Sequence, residues 1–429
     1  MQLNNKMVAV IAVVVVGIIA GFYTMTSTDE TKEANPNMPE SNQQVDEDLP
    51  PGHPTVMRGD GTTDTVGGVP SAVEQPVNQA REGKAVEEAD SKFTHFRVGD
   101  RNVKSLFVEG SVIWVGTSGG VIRYDTATDD YRLIDYTNGL LSNGVFSIGK
   151  LDGRIALGTY GGGLSLYDES KNKWENFNIP NGLGDAFVYK TLEASNGDTW
   201  IATWSGVNRV RGGKLRDRSK WDIYTVANTK GGLINDWVYS LEEGKNGEIW
   251  MATEGGLVRY KDGKWKNWNH DKGVGASFET IKNDPRFGVD PASMSEHHAR
   301  QAKEMGLEGV GGGGAYNPNY IVALEVGKNG EVWCGTWGGG LARFDGKKWR
   351  NFTMADGLPG NLIFSLFQDP DGDLWVGTNK GLARYDGKEF TVMTTEDGLF
   401  SNTIFSLAEG PDGSRWIGHF GGVTHLLAE

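Results

Sequence analysis

The side chains best suited to chemistry recur at one point of a repeating unit. Seven times the sequence spells a segment related to Trp-x-Gly-Thr followed by glycine: WVGTSGG from Trp114, ALGTYGGG from Ala156, WIATWSG from Trp200, WMATEGG from Trp250, WCGTWGGG from Trp333, WVGTNKG from Trp375 and WIGHFGG from Trp416. The position after the Thr or His varies, and carries Ser118, Tyr160, Trp204, Glu254, Trp337, Asn379 and Phe420. Rings stack on sugars, peptides and small ligands, while a carboxylate and an amide fix orientation by hydrogen bonds. Tyr160, Trp204, Glu254, Trp337, Asn379 and Phe420 therefore form the candidate ligand- or partner-binding set. The competing reading of the same residues is packing that merely fills the space.

Other chemistry is poorly supplied. Asp371, Gly372 and Asp373 begin like a calcium loop, but the downstream bidentate glutamate is missing and the same slot elsewhere reads Asn-Gly-Glu-Ile-Trp, which favours a turn. His297 and His298 are adjacent on an expected helix, so they diverge by about 100° and lack the i, i+4 spacing that converges two imidazoles. No metal and no cofactor is expected. Cys334 is the one cysteine, which excludes an intrachain disulfide framework, and its strand position makes it a small buried hydrophobe. A Gly-x-Ser-x-Gly elbow and a phosphate-cradling loop are both missing from the sequence.

The elements that must position the variable residues follow from the repeat itself. Each unit has a short apolar strand, a Gly-containing turn, the strand ending in Gly-Thr, glycines, a strand ending near Arg-Tyr-Asp, and an aromatic strand. The Thr or His positions 117, 159, 203, 253, 336, 378 and 419 are spaced by 42, 44, 50, 83, 42 and 41 residues. Periods of this length mark a propeller or solenoid. The Asn-Gly and Asp-Gly pairs at 196, 246, 329, 371 and 412 read as primed two-residue hairpin turns, so each unit becomes a four-stranded antiparallel meander. Such a sheet has two apolar faces, and a radial array of them buries both. The expected fold is all-β, a seven-bladed β-propeller over residues 92–429, with the candidate residues at one mouth of its central channel. The last copy lacks its fourth strand, and residues 91–96, SKFTHF, are expected to complete that blade against residues 421–427 and close the ring. The doubled interval holds an insertion at about 273–315, with a helix started by Asp290 and Pro291 and stopped by Gly306. It reads equally as a lid over the mouth or as a docking element.

The amino terminus is different in kind. Residues 7–25 are uncharged and apolar, long enough as a helix to span about 28 Å, close to bilayer thickness. Lys6 before it and Asp29, Glu30 and Glu33 after it place residues 1–6 in the cytoplasm and the propeller outside. A cleaved signal peptide is the alternative, although no small-x-small site follows the apolar run. Residues 26–91 carry fourteen acidic against four basic residues, a net of −10 out of the chain's −14, with almost no aromatic side chain. They are expected to be a disordered acidic tether. With no basic run in the remainder, nucleic acid is not an expected partner.

The units, most clearly DGLPGNLIFSLFQDPDGDLWVGTNKGLARYDGKEF at 356–390, resemble the two-component-regulator propeller repeat of bacterial periplasmic sensor proteins. The resemblance spans about 92–429 outside the insertion. It implies an inner-membrane, single-pass protein with a periplasmic propeller that senses a small ligand or scaffolds protein–protein interaction in a membrane complex. No kinase or other output domain is expected to accompany it. Propeller lyases and sialidases place catalytic residues singly on different blades, so a hydrolase or lyase acting on a glycan is the alternative function.

Overall fold

Alternating apolar residues along each repeat become antiparallel sheet. The computed structural model describes residues 56–57, 63–64, 92–282, 284 and 316–428. Five four-stranded sheets have Val145–Leu151, Val188–Glu193, Val238–Glu243, Asn317–Val326 and Ile363–Gln368 as first strands, and in each the strands bond in chain order. A further sheet has seven strands, in the order Ser406–Glu409, Arg415–Gly418, Phe420–Leu426, Phe93–Glu109, Val112–Thr117, Gly120–Asp125 and Asp130–Ile134. Its middle strand pairs through Phe93 to Arg97 with Leu426 to Gly422, then through Val103 to Glu109 with Thr117 to Val112. Where the sequence reads as two strands, the backbone runs as one. The first strands also touch in succession, 93–109 with 145–151 and onward around to 406–409, which touches 93–109 again.

Packing explains why that long strand holds. Successive side chains of a strand face opposite sides. Phe93 is buried with Trp375, Leu382, Ile404 and Leu426, whereas Phe96 packs on the other side against Tyr124 and Trp416, its ring 5.2 and 5.5 Å from theirs. Elsewhere the apolar clusters likewise lie between consecutive repeats, as where Trp114 and Val121 of the first meet Leu157 and Tyr167 of the second.

The repeat signature is structural. Thr117, Thr159, Thr203, Thr253, Thr336 and Thr378 are fully buried, and each hydroxyl donates to a glycine carbonyl across the next turn at 2.7–2.9 Å. At that turn Gly256 has φ +135°, and a Cβ there would strike the Trp268 carbonyl, so only glycine fits. Over the buried tryptophan of the second strand lies an arginine of the third: Arg209 is 5.6 Å from the Trp200 centroid and is held by Asp198.

One turn assignment is corrected. At Asn196-Gly197 and its four counterparts the glycine alone has positive φ. Ala194 N–H bonds the Asp198 carbonyl and Gly197 N–H bonds the Ala194 carbonyl, both at 2.8 Å, which makes a three-residue loop with a left-handed glycine rather than a primed turn. One extra residue relieves the asparagine of positive φ. Primed geometry does occur at Asp152-Gly153 and Asp262-Gly263, where both residues have positive φ.

The apolar segment 7–25 and the helix expected at 290–306 lie outside the described residues, among which no helix is long and apolar enough to cross a membrane. Within the stretch read as a tether, Val56–Met57 pairs with Thr63–Asp64. At the start of the insertion a single helical turn, Phe278–Ile281, buries Ile281 with Ala276 and Tyr316.

Candidate functional site

The variable residues share a backbone position. Tyr160, Trp204, Glu254 and Asn379 each donate their N–H to the residue preceding a first strand, Gly144, Phe187, Trp237 and Leu362, at 2.8–3.2 Å. That bond places each beside the entry of the innermost strand. There the ladder slips by one residue between Val145 and Ser147, Val188 and Lys190, Val238 and Ser240, and Ile363 and Ser365. A bulge re-aims the extra side chain. The side chains it re-aims are Phe146, Tyr189, Tyr239 and Phe364.

Those bulged rings are what the sequence reading missed, and they join the candidates. Tyr160 contacts Phe146 at 5.3 Å and Phe187 at 4.7 Å, and Phe146 meets Tyr189 at 4.5 Å. Trp204 lies 5.9 Å from Phe187 and 4.2 Å from Trp237. Tyr189 meets Tyr239 at 4.9 Å, Tyr239 meets Tyr320 at 4.8 Å, and Tyr320 stacks on Trp337 at 5.4 Å and 16°. From Trp337 the chain of rings passes through Phe364 to Phe405. Glu254 stands within it, 5% exposed, its Oε2 accepting a 3.0 Å hydrogen bond from the Tyr239 hydroxyl. Burial first, and then negative neighbours that include Glu254, raise the ionisation of Tyr189, Tyr239 and Tyr320 well above the usual phenol value, so all three remain neutral.

Two candidates stand apart. Asn379 has a buried Oδ1 that accepts no bond and lies beside Gly360, and Phe420 pairs with Asn102 where the long strand meets the last repeat. Among the described residues no ring contact joins Phe420 to the belt.

Charges line the same inner surface. The Lys104 ammonium lies 4.5 Å from the Phe146 centroid, and burial lowers its pKa to about 8. Further along the first strands Lys190 Nζ is 4.0 Å from Glu242 Oε1. Burial raises the carboxyls of Glu242 and Glu325, and Glu242 raises Glu325 further. Lys190 and Glu242 keep 40% and 29% of their side-chain surfaces open, because they face the space between innermost strands, yet protein surrounds them closely enough for desolvation to dominate.

The remaining candidates have structural duties. Asp369 Oδ1 accepts the N–H groups of Asp371, Gly372 and Asp373, its Oδ2 accepts from Trp375 and Arg415, and Asp373 pairs with Arg384 at 2.7 Å. The Asp-x-Asp pattern is thus engaged in holding a turn. Cys334 is fully buried, with its thiol pushed far up by burial. His297 and His298 lie outside the described residues. A concavity of about 200 Å³ beside Trp200 and Tyr260 is occupied at its base by the Arg209 clip, away from the belt.

This architecture is a propeller-type all-β fold. Its likenesses include the extracellular domain of a hybrid two component system, BT3049, from B. thetaiotaomicron, at 22% identity and TM-score 0.58, covering 77% of this chain and 39% of that one. The extracellular domain of BT4673 from the same organism matches at 19% and 0.56, covering 78% and 39%. Virginiamycin B lyase from Staphylococcus aureus, in an inactive form with quinupristin, matches at 13% and 0.54, covering 79% and 99%. The chain thus spans about 39% of the length of the two sensor ectodomains. Residues 232–255 and 357–380 match the family described as two component regulator propeller. No curated protein matches the sequence.

Proposed function

We propose that this chain is a membrane-tethered, extracytoplasmic binding module, a seven-bladed propeller closed by its own first strand, that takes a ligand or partner at the mouth ringed by Tyr160, Trp204, Glu254 and Trp337. One observation carries the reading: rings from six consecutive repeats touch in an unbroken belt that includes a buried, hydrogen-bonded carboxylate. Packing alone asks for apolar contact and gains nothing from a carboxylate there, whose desolvation is costly. A recognition site needs both the rings and the polar anchor. The succession of contacts among the first strands supports the ring, and the sensor ectodomains that share the fold support an extracytoplasmic place. Since one fold serves a sensor and a lyase alike, the site and not the fold supports binding.

The test is purification of the full chain from membranes at low detergent, with identification of what remains bound. Wild type is expected to retain a ligand or protein that Trp337→Ala loses while keeping its melting temperature. Retention of the same material by Trp337→Ala would remove the mouth from the account.

A further inference from the structure

We infer that the turn joining the third and fourth strands of the third repeat, residues 211–220, docks the propeller on a membrane surface that bears anionic lipid headgroups. The inference rests on the reading of the chain as membrane-tethered and names the face that meets the membrane. Its charge is peculiar to this repeat. Between Val210 and Trp221, which pair across the sheet, the turn holds Arg211, Lys214, Arg216, Arg218 and Lys220 against Asp217 alone. Corresponding turns are shorter and close to neutral or acidic: Lys261 and Lys264 stand against Asp262, Lys347 and Lys348 against Asp345, and Asp125, Asp129 and Asp130 of the first repeat against no base. Salt screens charges beyond about 8–10 Å, so the local excess decides what this face attracts even though the chain as a whole is acidic.

The fold holds these charges outward. Leu215 is buried, its carbonyl accepting from Trp221 Nε1 at 2.9 Å, and Gly212 N–H donates to Asp198 at 2.8 Å. Arg211 is fixed at 2.6 Å to both Asp222 and the Ser219 carbonyl. With the turn anchored in this way, Lys214, Arg216 and Arg218 stand exposed and Lys220 half-buried. Arg216 pairs with Glu175, but that carboxylate also accepts from Arg154, so one acid serves two guanidinium groups. When Asp152, Glu175, Asp217 and Asp222 are set against Arg154 and the five bases of the turn, positive charge remains in excess. A rim built in advance loses little freedom on docking.

Position names the partner. In the sheet that joins the seventh repeat to the first, Leu426 pairs with Phe93, and Leu427 N–H donates to the Lys92 carbonyl at 3.0 Å. Lys92 therefore lies where the turn between third and fourth strands lies in the other repeats. The segment that leads on from residues 7–25 joins the propeller at the same end as the basic turn. A membrane is thus the charged surface tied to this end at high effective concentration, and its anionic headgroups attract clustered Lys and Arg. Residues 26–91, with fourteen acidic against four basic side chains, are the competing occupant.

The experiment is amine-reactive footprinting of the full chain, read by mass spectrometry, in nanodiscs of phosphatidylcholine alone and of phosphatidylcholine with about a third phosphatidylglycerol. Lys230, exposed in the loop at the opposite end of the same repeat, is the internal reference. Relative to it, Lys214 and Lys220 are expected to react at least threefold more slowly in the anionic discs, and about 0.5 M salt is expected to erase the difference. Arg218→Ala is expected to halve the protection of Lys214. The wild-type comparison does not depend on the variant folding. Equally fast modification in both kinds of disc would overturn the inference. Equally slow modification in both would give the turn to residues 26–91 and overturn it as well. A chain that does not enter the discs would remove the membrane tether and the inference together, whereas entry without a lipid-dependent footprint removes the inference alone.

Discussion

The belt of rings in the third to fifth repeats and the seam between the seventh and first are built on the same repeat, yet their variable slots meet different surroundings. In the belt, Trp204, Glu254 and Trp337 follow threonines that clip their own turns, and Trp204 and Glu254 donate their N–H to the residue preceding the neighbouring first strand. In the seventh repeat the threonine is replaced by His419, fully buried, whose Nε2 lies 2.9 Å from Thr424 Oγ1, while His95 of the incoming strand reaches the same hydroxyl at 3.1 Å. The comparison teaches that where a threonine clips the turn the following side chains meet one another as a belt of rings, whereas where a histidine stands there the neighbouring strand joins in holding the turn.

The largest expected effect falls at the seam. Deleting residues 91–96 removes the pairing with 423–426 and the aromatic contacts of His95 with Phe400 and of Phe96 with Tyr124 and Trp416, and is expected to abolish cooperative unfolding, while an equal deletion within 40–60 leaves the melting temperature unchanged. Phe93→Ala alone is expected to cost about 3 kcal/mol, the usual scale for truncating a buried phenylalanine, measured by denaturant titration. Equal melting temperatures for the two deletions would erase the distinction between seam and tether.

At the mouth the expected loss is of binding. Trp337→Ala should weaken ligand or partner affinity by about 1–3 kcal/mol with little change in stability. Trp204 is only 6% exposed, so Trp204→Ala is expected to lose binding and some stability together. A Trp337→Ala protein that unfolds would show that the belt is core after all.

Titration sharpens the contrast. Burial lowers the His419 pKa from 6.5 to about 4, so between those values the unfolded chain takes up a proton that the folded chain refuses. The stability this contributes is present above pH 6.5 and is lost as pH falls toward 4, by at most about 3 kcal/mol. His419→Thr, which restores the residue of the other repeats, should flatten that acid limb. Glu325 behaves in the opposite sense: its carboxyl is raised from 4.5 to about 8, so its contribution is present below pH 4.5 and is lost as pH rises toward 8. Glu325→Gln should flatten the neutral limb and leave the acid limb alone. Denaturant titrations at pH 4.5, 6.5 and 8 check both.

Much of this was legible before any coordinates. The seven related segments locate the second strands, and the buried hydroxyls explain why six of them carry threonine at the same place. The slot after them led to Trp204, Glu254 and Trp337. Their partners were hidden because Phe146, Tyr189 and Tyr239 sit at bulges, where one extra residue breaks the two-residue period by which side chains are assigned to faces. A signal did exist in the adjacent apolar pairs Val145-Phe146, Val188-Tyr189 and Val238-Tyr239, which strict alternation forbids. Tyr320 was harder still, since its strand pairs irregularly between Asn317 and Ile321. The turns were misread for a related reason: Asn-Gly is compatible with two loop lengths, and the hydrogen bonds, not the dipeptide, select between them.

The most direct test sets the two regions against each other in one assay. Binding of whatever the full chain retains from membranes is measured for wild type, Trp337→Ala and His419→Thr. The account predicts at least a fivefold loss for Trp337→Ala and wild-type affinity for His419→Thr. Wild-type affinity in Trp337→Ala, or a loss confined to His419→Thr, would contradict it.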